Sequence, residues 1–467
     1  MPTSHSSSKP SAQYWILGLF LLFLFALGGS SRTDVESLAI LQPLSVIISA
    51  FACLTLRSEH WNGRRWLLSW AAAIFTIAFL SLAPLPPAFW QSLAGRQDLV
   101  HVEKLVGLSD IWRPLGLVPT NAWHAFISLF VPLAVVLLGV QLDRHDLFRL
   151  LPLVITLVTI SGLLGLLQVI GDPQGILYFY RITNNGSAVG AFANRNHAAT
   201  LLTCLFPMLA VYISVARTEV DARRTRLLLA ASLSLVLVPL ILLTGSRSGL
   251  VGALIGLGVA PLLYRPPTHS PAARRAQQYR INALAALGGV AVVSLAALTY
   301  FFSQAEALER VFAGSSGEDT RSDFLIVSLE LLRNYFPAGS GSGSFAEAYK
   351  MAEPTSILDA SYLNRAHNDW VEVAVTFGLP GAVAMFVATA GYGLRTYRFW
   401  CSADGSRRAV AFGRLATVII AIIAIASGSD YPLRTPTMMG LFAIWALWLT
   451  QSGDSSNSAT CVTGRGI

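Results

Sequence analysis

The feature that most constrains this chain is a series of twelve long apolar stretches that recurs along nearly its whole length. About 20 mostly apolar residues cross the hydrocarbon of a bilayer, and each stretch is close to that length. The pattern predicts an all-α fold, a polytopic transmembrane helical bundle of about 12 spans, with a helical exterior loop between spans 9 and 10. The predicted spans are residues 14–30, 38–56, 66–83, 122–142, 148–170, 196–216, 226–244, 247–264, 281–302, 368–392, 411–428 and 436–451.

Composition and charge placement support a membrane protein and explain the basic net charge. Charged residues make up 12% of the chain, whereas soluble domains carry about 25%. With twelve spans, the side that holds both termini has 20 Lys and Arg against 7 Asp and Glu, and the other side has 13 against 18. Cationic loops are retained in the cytoplasm. The surplus of +8 therefore reflects topology, and no nucleic-acid partner is predicted.

The same pattern divides the chain into five parts. Residues 1–13 and 452–467 are polar cytoplasmic tails, and residues 303–366 form the large exterior loop. Spans 1–9 occupy residues 14–302, and spans 10–12 occupy residues 367–451. None of the four cysteines lies in the exterior loop, and no pair has metal-binding spacing, so neither a disulfide nor a metal site is predicted.

The exterior loop ends in Ala366-His367-Asn368-Asp369, which brings an imidazole to the membrane boundary. A lone histidine is usually structural, so a catalytic role for His367 depends on partners elsewhere. Arginines at two other helix starts are candidates. Arg195 follows a Gly- and Asn-rich loop, where a helix N-terminus attracts anions, although snorkelling to the interface explains it equally well. Arg247 lies in a tight exterior turn, where the positive-inside rule does not place arginine, and this favours an anion ligand.

Three further stretches complete the pattern. Residues 319–332 are apolar at helical spacing and predict an amphipathic helix. Residues 337–345 alternate Gly and Ser and predict a flexible loop rather than a phosphate cradle, because no strand precedes them and no Lys follows. The last exterior turn sets Asp430 four residues before Arg434, a spacing that also suits a simple ion pair between them.

Taken together, these stretches resemble the O-antigen ligase and O-antigen polymerase superfamily of bacterial membrane glycosyltransferases over residues 190–440. Each motif is short, and the resemblance depends on their order, spacing and shared exterior side. Residues 1–180 are similar only as apolar spans. The motifs are Phe192–His197 at a helix start, Thr244–Gly249 at a hairpin, Arg321 with Pro337–Phe345 in the large loop, and Ala366–Asp369 with Glu372 and Gly378–Gly381.

The resemblance implies a multi-pass protein of the bacterial inner membrane, with loop 303–366 and the active site facing the periplasm. It implies metal-independent transfer, without a cofactor, from a polyprenyl-diphosphate-linked glycan held among the membrane lipids. The acceptor would be lipid A–core for a ligase or another lipid-linked glycan for a polymerase. Residues 429–434 are similar to a stretch in members associated with secreted polysaccharide, which favours a polymerase.

The chemistry of glycosyl transfer from a diphosphate assigns roles to these residues. A base must deprotonate the acceptor hydroxyl, and imidazole suits this near neutral pH, so His367 is the predicted base. Guanidinium groups can stabilise the leaving diphosphate, which makes Arg247 a predicted catalytic residue. The predicted substrate-binding residues are Arg195, Arg321, Arg434, Asp430, Asn368 and Glu372, and either Asp430 or Glu372 could instead orient His367.

A transporter or flippase of a lipid-linked or anionic substrate is the main alternative. Such proteins are also rich in spans and use arginines to bind anions. Transporters often carry an internal repeat and broken helices near mid-bilayer. No repeat is visible in this sequence, and the distinctive polar residues lie on one side, which favours the transferase.

Overall fold

A computed structural model describes residues 10–215, 220–264, 319–356, 358, 363–401 and 408–450. Side chains are described for all of these except residues 220–224 and 319–323. The predicted ninth span, residues 281–302, and both ends of the chain lie outside the described residues. The division of the chain into five parts therefore stays a prediction.

The described chain is almost entirely helical. Its only strands, β1 (Pro84–Leu85) and β2 (Arg113–Pro114), pair antiparallel with Pro84 opposite Pro114. Short 3₁₀ turns span Ser58–Trp61 and Pro432–Arg434. The helices are α1 (Ala12–Leu27), α2 (Leu38–Thr55), α3 (Arg65–Leu80), α4 (Pro87–Gln91), α5 (Gln97–Leu105), α6 (Pro119–Ser128), α7 (Phe130–Gly139), α8 (Arg144–Ile170), α9 (Arg195–Thr203), α10 (Leu205–Ser214), α11 (Val220–Leu243), α12 (Arg247–Leu263), α13 (Asp319–Tyr335), α14 (Phe345–Ala352), α15 (Asp369–Cys401), α16 (Arg408–Ala426) and α17 (Pro436–Leu449).

The predicted all-α polytopic bundle is confirmed, and the number of spans is confirmed only in part. Seven helical segments in the described part are long and apolar enough to cross a membrane. Four shorter apolar helices, α1, α3, α12 and α17, occupy other predicted spans. Two spans consist of consecutive helices, α6 with α7 and α9 with α10. The count of twelve stays a prediction.

Helices α9, α10, α16 and α17 form the buried centre of the bundle. In α17, Trp445 and Trp448 are fully buried, and Gly440 packs against Leu24 of α1. A helix that is apolar on all sides is stable only when neighbours surround it. This central position also fixes the turn before α17, which carries Asp430.

A second apolar cluster lies in the segment predicted to be exterior. Val327, Leu331 and Tyr335, spaced by four residues along α13, are buried against Tyr349 of α14 and Val375 of α15. The predicted amphipathic helix therefore exists, and its buried face packs on the start of α15. This cluster supports the helix that follows His367.

Most of the Gly-Ser segment from residue 339 to residue 345 is buried, so the predicted flexible loop is wrong. Ser340, Ser342 and Ser344 are each at most 1% exposed. Gly339, Gly341 and Gly343 all have φ between +72° and +91°. Such φ values are strained for residues with a Cβ. The glycines let this segment turn tightly against its neighbours.

The same segment caps a break in α15. Gly378 has φ 54° and ψ −139°, so the helix is interrupted there. Ser340 N–H donates to the Val375 carbonyl at 3.0 Å, and Leu379 N–H donates to the Pro337 carbonyl at 2.8 Å. The break thus falls at Gly378, two residues before Pro380, and its exposed backbone groups are satisfied by the loop.

Candidate active site

Asp430 is the residue on which several of the turns predicted to be exterior converge. It follows α16, and its side chain is 3% exposed. Its Oδ2 accepts from Asn196 Nδ2 at 2.6 Å and from Asn194 Nδ2 at 3.5 Å, both at the start of α9. Its Oδ1 accepts from Tyr431 N–H at 2.8 Å. The start of α9 and the turn between α16 and α17 are therefore held together through one carboxylate.

Two imidazoles flank the same carboxylate. His367 Nδ1 lies 3.9 Å from Asp430 Oδ1, and His197 Nε2 lies 3.6 Å from that oxygen. The Tyr431 ring meets both imidazoles edge-on, with centroids 5.0 Å from His367 and 5.2 Å from His197. The His367 side chain is 31% exposed and that of His197 is 1% exposed. Only His367 of this pair is accessible to a substrate.

Asp430 remains ionised in this setting. Burial alone would raise the pKa of its carboxyl, but His197, Asn196 and His367 outweigh burial and lower the pKa to about 2. Hydrogen bonds and nearby cations favour the charged form of a carboxyl. Asp430 thus presents a negative charge behind His367 over the whole physiological pH range.

The backbone at His367 is held in an unusual conformation. Its φ is 50°, a left-handed value that is uncommon for a residue with a Cβ. On one side, Ala366 N–H donates to Glu372 Oε2 at 3.0 Å. On the other side, Asn368 Oδ1 accepts from Val371 N–H at 3.2 Å and caps α15. Strain of this kind persists where neighbouring groups fix the backbone, as they do here.

Glu372 is the centre of a buried ionic cluster beneath His367. Its side chain is 1% exposed, and its Oε1 accepts from Arg365 Nη1 at 3.0 Å and lies 3.4 Å from Arg434 Nη2. Arg434 Nε also donates to Asp369 Oδ1 at 2.9 Å. Burial alone would lower the pKa of Arg434, but Glu372 and Asp369 outweigh it, and the net shift is upward. Arg434 is thus paired with these two acids, and the simple Asp430–Arg434 pair considered above is wrong.

Small residues bring the two arginine-bearing helix starts together. A Cβ added at Gly249 of α12 would lie 2.5 Å from Ala199 Cβ of α9, and one at Gly252 would lie 2.8 Å from Thr203 Oγ1. Both contacts advance in the same direction along the two helices, so α9 and α12 are parallel. Their N-termini therefore lie at the same end of the bundle.

Arg195 and Arg247 are the exposed first residues of these two helices. A Cβ added at Gly245 would lie 3.3 Å from Arg195 Nη1. The Arg195 guanidinium therefore lies against the turn that carries Arg247. Parallel helix N-termini add their own positive partial charge to that of the two side chains. This end of α9 and α12 is suited to an anionic ligand.

The structure places the predicted residues in three groups. His367 and Asp430 lie together, and Arg195 contacts the Arg247 turn next to Asn194 and Asn196. The third group, Glu372, Asn368 and Arg434, is engaged in contacts within the protein. The side chain of Arg321 lies outside the described residues. No group of three His, Cys, Asp or Glu suited to a metal occurs in the described part of the chain.

Sequence reasoning missed several residues of the site. His197 and Asn196 were visible as polar residues beside Arg195 but had no assigned role. Two polar residues that follow an N-cap in the first turn are the signal that could have identified them. Asp369 and Arg365 could not be identified, because their partners are distant in the chain.

The fold and the candidate site define the class of protein. It is a multi-pass α-helical membrane protein with a buried carboxylate, an accessible imidazole and paired arginines at helix termini. The O-antigen ligase family model matches residues 229–386, which include Arg247, Arg321, His367, Asn368 and Glu372. This match confirms the resemblance to the O-antigen ligase and polymerase superfamily. Arg195, Asp430 and Arg434 lie outside the matched residues. Among curated proteins, no match was found.

Proposed function

We propose that this protein is a glycosyltransferase that moves a glycan from polyprenyl diphosphate to an acceptor at the periplasmic face of the inner membrane. The observation that carries the proposal is the convergence on Asp430. This residue lies beside His367 and also binds the start of α9, where Arg195 meets the Arg247 turn. This convergence supports a base and a cationic pair that act at the same end of the bundle.

In the proposed reaction, the acceptor hydroxyl gives its proton to His367 and its oxygen attacks the anomeric carbon. His367 Nδ1 faces Asp430, so Nε2, on the far side of the ring, would take the proton. The bond from the anomeric carbon to the diphosphate breaks, and the diphosphate leaves with the electron pair. Asp430 stabilises the imidazolium that forms, and Arg195 and Arg247 stabilise the charge on the leaving group.

The transporter alternative has one observation in its favour, the break in α15 at Gly378. Transporters use such breaks to expose backbone groups to a substrate or an ion. Here the groups freed by the break are bonded to the Gly-Ser segment: the carbonyls of Val375 and Thr376 accept from Ser340 and Gly341. The break therefore supports packing of the exterior cap and adds little to the transporter hypothesis.

The test is transfer by purified protein in liposomes that contain a polyprenyl-diphosphate-linked glycan. We expect release of polyprenyl diphosphate together with an extended or lipid-attached glycan, and we expect His367→Gln to reduce the rate about 100-fold or more. His124→Gln is the matched control, because His124 lies in α6, apart from Asp430. Movement of intact lipid-linked glycan across the bilayer, without release of diphosphate, would support the transporter instead.

The same assay separates the two transferase subclasses. One set of liposomes supplies lipid A–core as acceptor, and the other supplies only additional lipid-linked glycan. We expect chain extension in the second set, because residues 429–434 favour a polymerase. Transfer only to lipid A–core would identify a ligase.

A further inference from the structure

His197 is a buried histidine with no role in the proposed reaction so far. It is in the first turn of α9, its side chain is 1% exposed, and its Nε2 lies 3.6 Å from Asp430 Oδ1. Within the described residues, neither of its ring nitrogens makes a hydrogen bond. A buried polar group without such a bond is costly, so its persistence calls for a physical reason. The closest charged group to Nε2 in the described structure is the carboxylate that faces His367.

We infer that His197 is a positioning residue that holds the Asp430 carboxylate against His367 during proton transfer. This inference rests on the proposed function. Asp430 Oδ1 lies between the two imidazoles, at 3.6 Å and 3.9 Å. The distance to His197 exceeds hydrogen-bonding range by only a few tenths of an ångström, since N–H···O bonds usually span about 2.7–3.2 Å. A small movement of Asp430 or His197 is therefore enough to form the bond between them.

The different exposures of the two histidines assign different roles to them. The proton of the acceptor hydroxyl goes to His367, whose side chain is 31% exposed and can later return the proton to water. The oxygen forms its bond to the anomeric carbon, and the bond to the diphosphate breaks, with the electron pair on the leaving group. His197 neither gains nor loses a proton in this sequence, because it is closed off from both acceptor and solvent.

Asp430 has three independent supports on its other sides. Asn196 and Asn194 bind Oδ2, and the Tyr431 N–H binds Oδ1. These bonds hold both oxygens of the carboxylate, and His197, whose side chain is 1% exposed, adds a contact to Oδ1 from within the protein interior. The Tyr431 ring closes the space between the imidazoles and restricts their rotation. Removal of the His197 donor would therefore leave Asp430 in place but less well directed.

The test compares two substitutions of similar size at His197 in the liposome transfer assay. Gln places an amide N–H near the position of Nε2, whereas Met fills the space without a donor. We expect His197→Gln to keep at least about a third of the wild-type kcat and His197→Met to lose about 10–100-fold. The KM for the lipid-linked donor should stay within about twofold in both, because His197 does not contact substrate.

A double-mutant cycle tests whether His197 acts through Asp430. If it does, His197→Met combined with Asp430→Asn should be no slower than Asp430→Asn alone. Thr203→Val, a buried change farther along α9, controls for loss of helix stability. Wild-type kcat in His197→Met, equal losses in the Met and Gln variants, or additive effects in the cycle would each overturn the inference. In each of those cases the proposed function would still stand if the wild type transferred glycan and His367→Gln lost that transfer. Absence of transfer by the wild type would overturn both the inference about His197 and the proposed function.

Discussion

The side-chain amide of Asn196 donates a 2.6 Å hydrogen bond to Oδ2 of Asp430, across a separation of 234 residues. This bond joins the first turn of α9 to the turn between α16 and α17. The two imidazoles at Asp430 Oδ1 complete the junction. One buried carboxylate thus aligns elements that are otherwise connected only through the bundle, and its removal has consequences for both stability and activity.

Asp430→Asn is expected to lower the stability of the protein in a pH-dependent way. The pKa of Asp430 is lowered to about 2, from an ordinary value near 3.9. Because the pKa of the Asp430 carboxyl is lowered in the folded protein, its ionisation stabilises the fold at pH values above the ordinary pKa. This stabilisation is lost as the pH falls through about 2. The difference between the ordinary and the lowered pKa corresponds to about 2–3 kcal/mol in the free energy of unfolding at pH 7. Thermal unfolding of the wild type and the variant in detergent should differ at pH 5 and above, and the difference should shrink below pH 4.

Arg247→Lys is expected to insert normally and to lose most of the transfer activity. Lys keeps the charge but lacks the planar fork that binds two phosphate oxygens at once. A loss of about 2–4 kcal/mol of transition-state stabilisation is expected, comparable to removal of one oxyanion donor. The measurement is kcat/KM for release of polyprenyl diphosphate. Arg149→Lys is the control, since Arg149 pairs with Asp146 in the first turn of α8. An Arg247→Ala variant with wild-type kinetics would remove this residue from the site.

The residues of the candidate site that lie at the ends of helices could be singled out from the sequence. Arg195, His367 and Asp430 were recognisable because charged or ionisable residues at the ends of apolar spans require a reason. The pairing of Glu372 with Arg365 and Arg434 could not be predicted, because these residues meet only in the folded chain. A residue pattern gives no sign of which turns between helices lie side by side.

The same limit applies to the Gly-Ser segment. Alternating Gly and Ser is typical of flexible loops, and only tertiary contacts make this one rigid. Gly341 lies so close to Gly116 that an added Cβ would be 2.1 Å from the Gly116 Cα. The helix bounds were easier to predict, since apolar length decides them largely independently of neighbours.

Gly378→Ala is expected to destabilise the protein strongly. The added Cβ would lie 2.1 Å from the Pro337 carbonyl oxygen, and φ at this position is +54°. Both the clash and the left-handed backbone oppose a side chain, so we expect a loss of several kcal/mol. Gly393→Ala is the matched control in the same helix, because no atom lies within 4 Å of a Cβ at Gly393. That change should be neutral or slightly stabilising in a thermal-unfolding assay. Equal melting temperatures for the two variants would contradict the break in α15.

Membrane topology is testable with reporter fusions at Gly317 and Gly405. The charge placement predicts that Gly317 is periplasmic and Gly405 cytoplasmic. A phosphatase fused at Gly317 should be active and the same enzyme fused at Gly405 inactive, with the reverse result for a cytoplasmic reporter. If both positions report the same compartment, the twelve-span topology is wrong.

Glu372→Gln is expected to reduce stability first and activity as a consequence. Substitution of the carboxylate leaves Arg365 and Arg434 with less compensation in a buried setting, and removal of one partner from a buried ion pair costs about 3–5 kcal/mol. It also weakens the bond from Ala366 N–H that fixes the backbone before His367.

Glu347→Gln is the control, because Glu347 forms an exposed pair with Lys350, and such pairs contribute about 1 kcal/mol or less. The measurements are melting temperature and donor binding on the same preparations. A substrate-binding role would instead raise the KM for the donor or the acceptor while the melting temperature stayed at the wild-type value, and that result would restore the role predicted from the sequence.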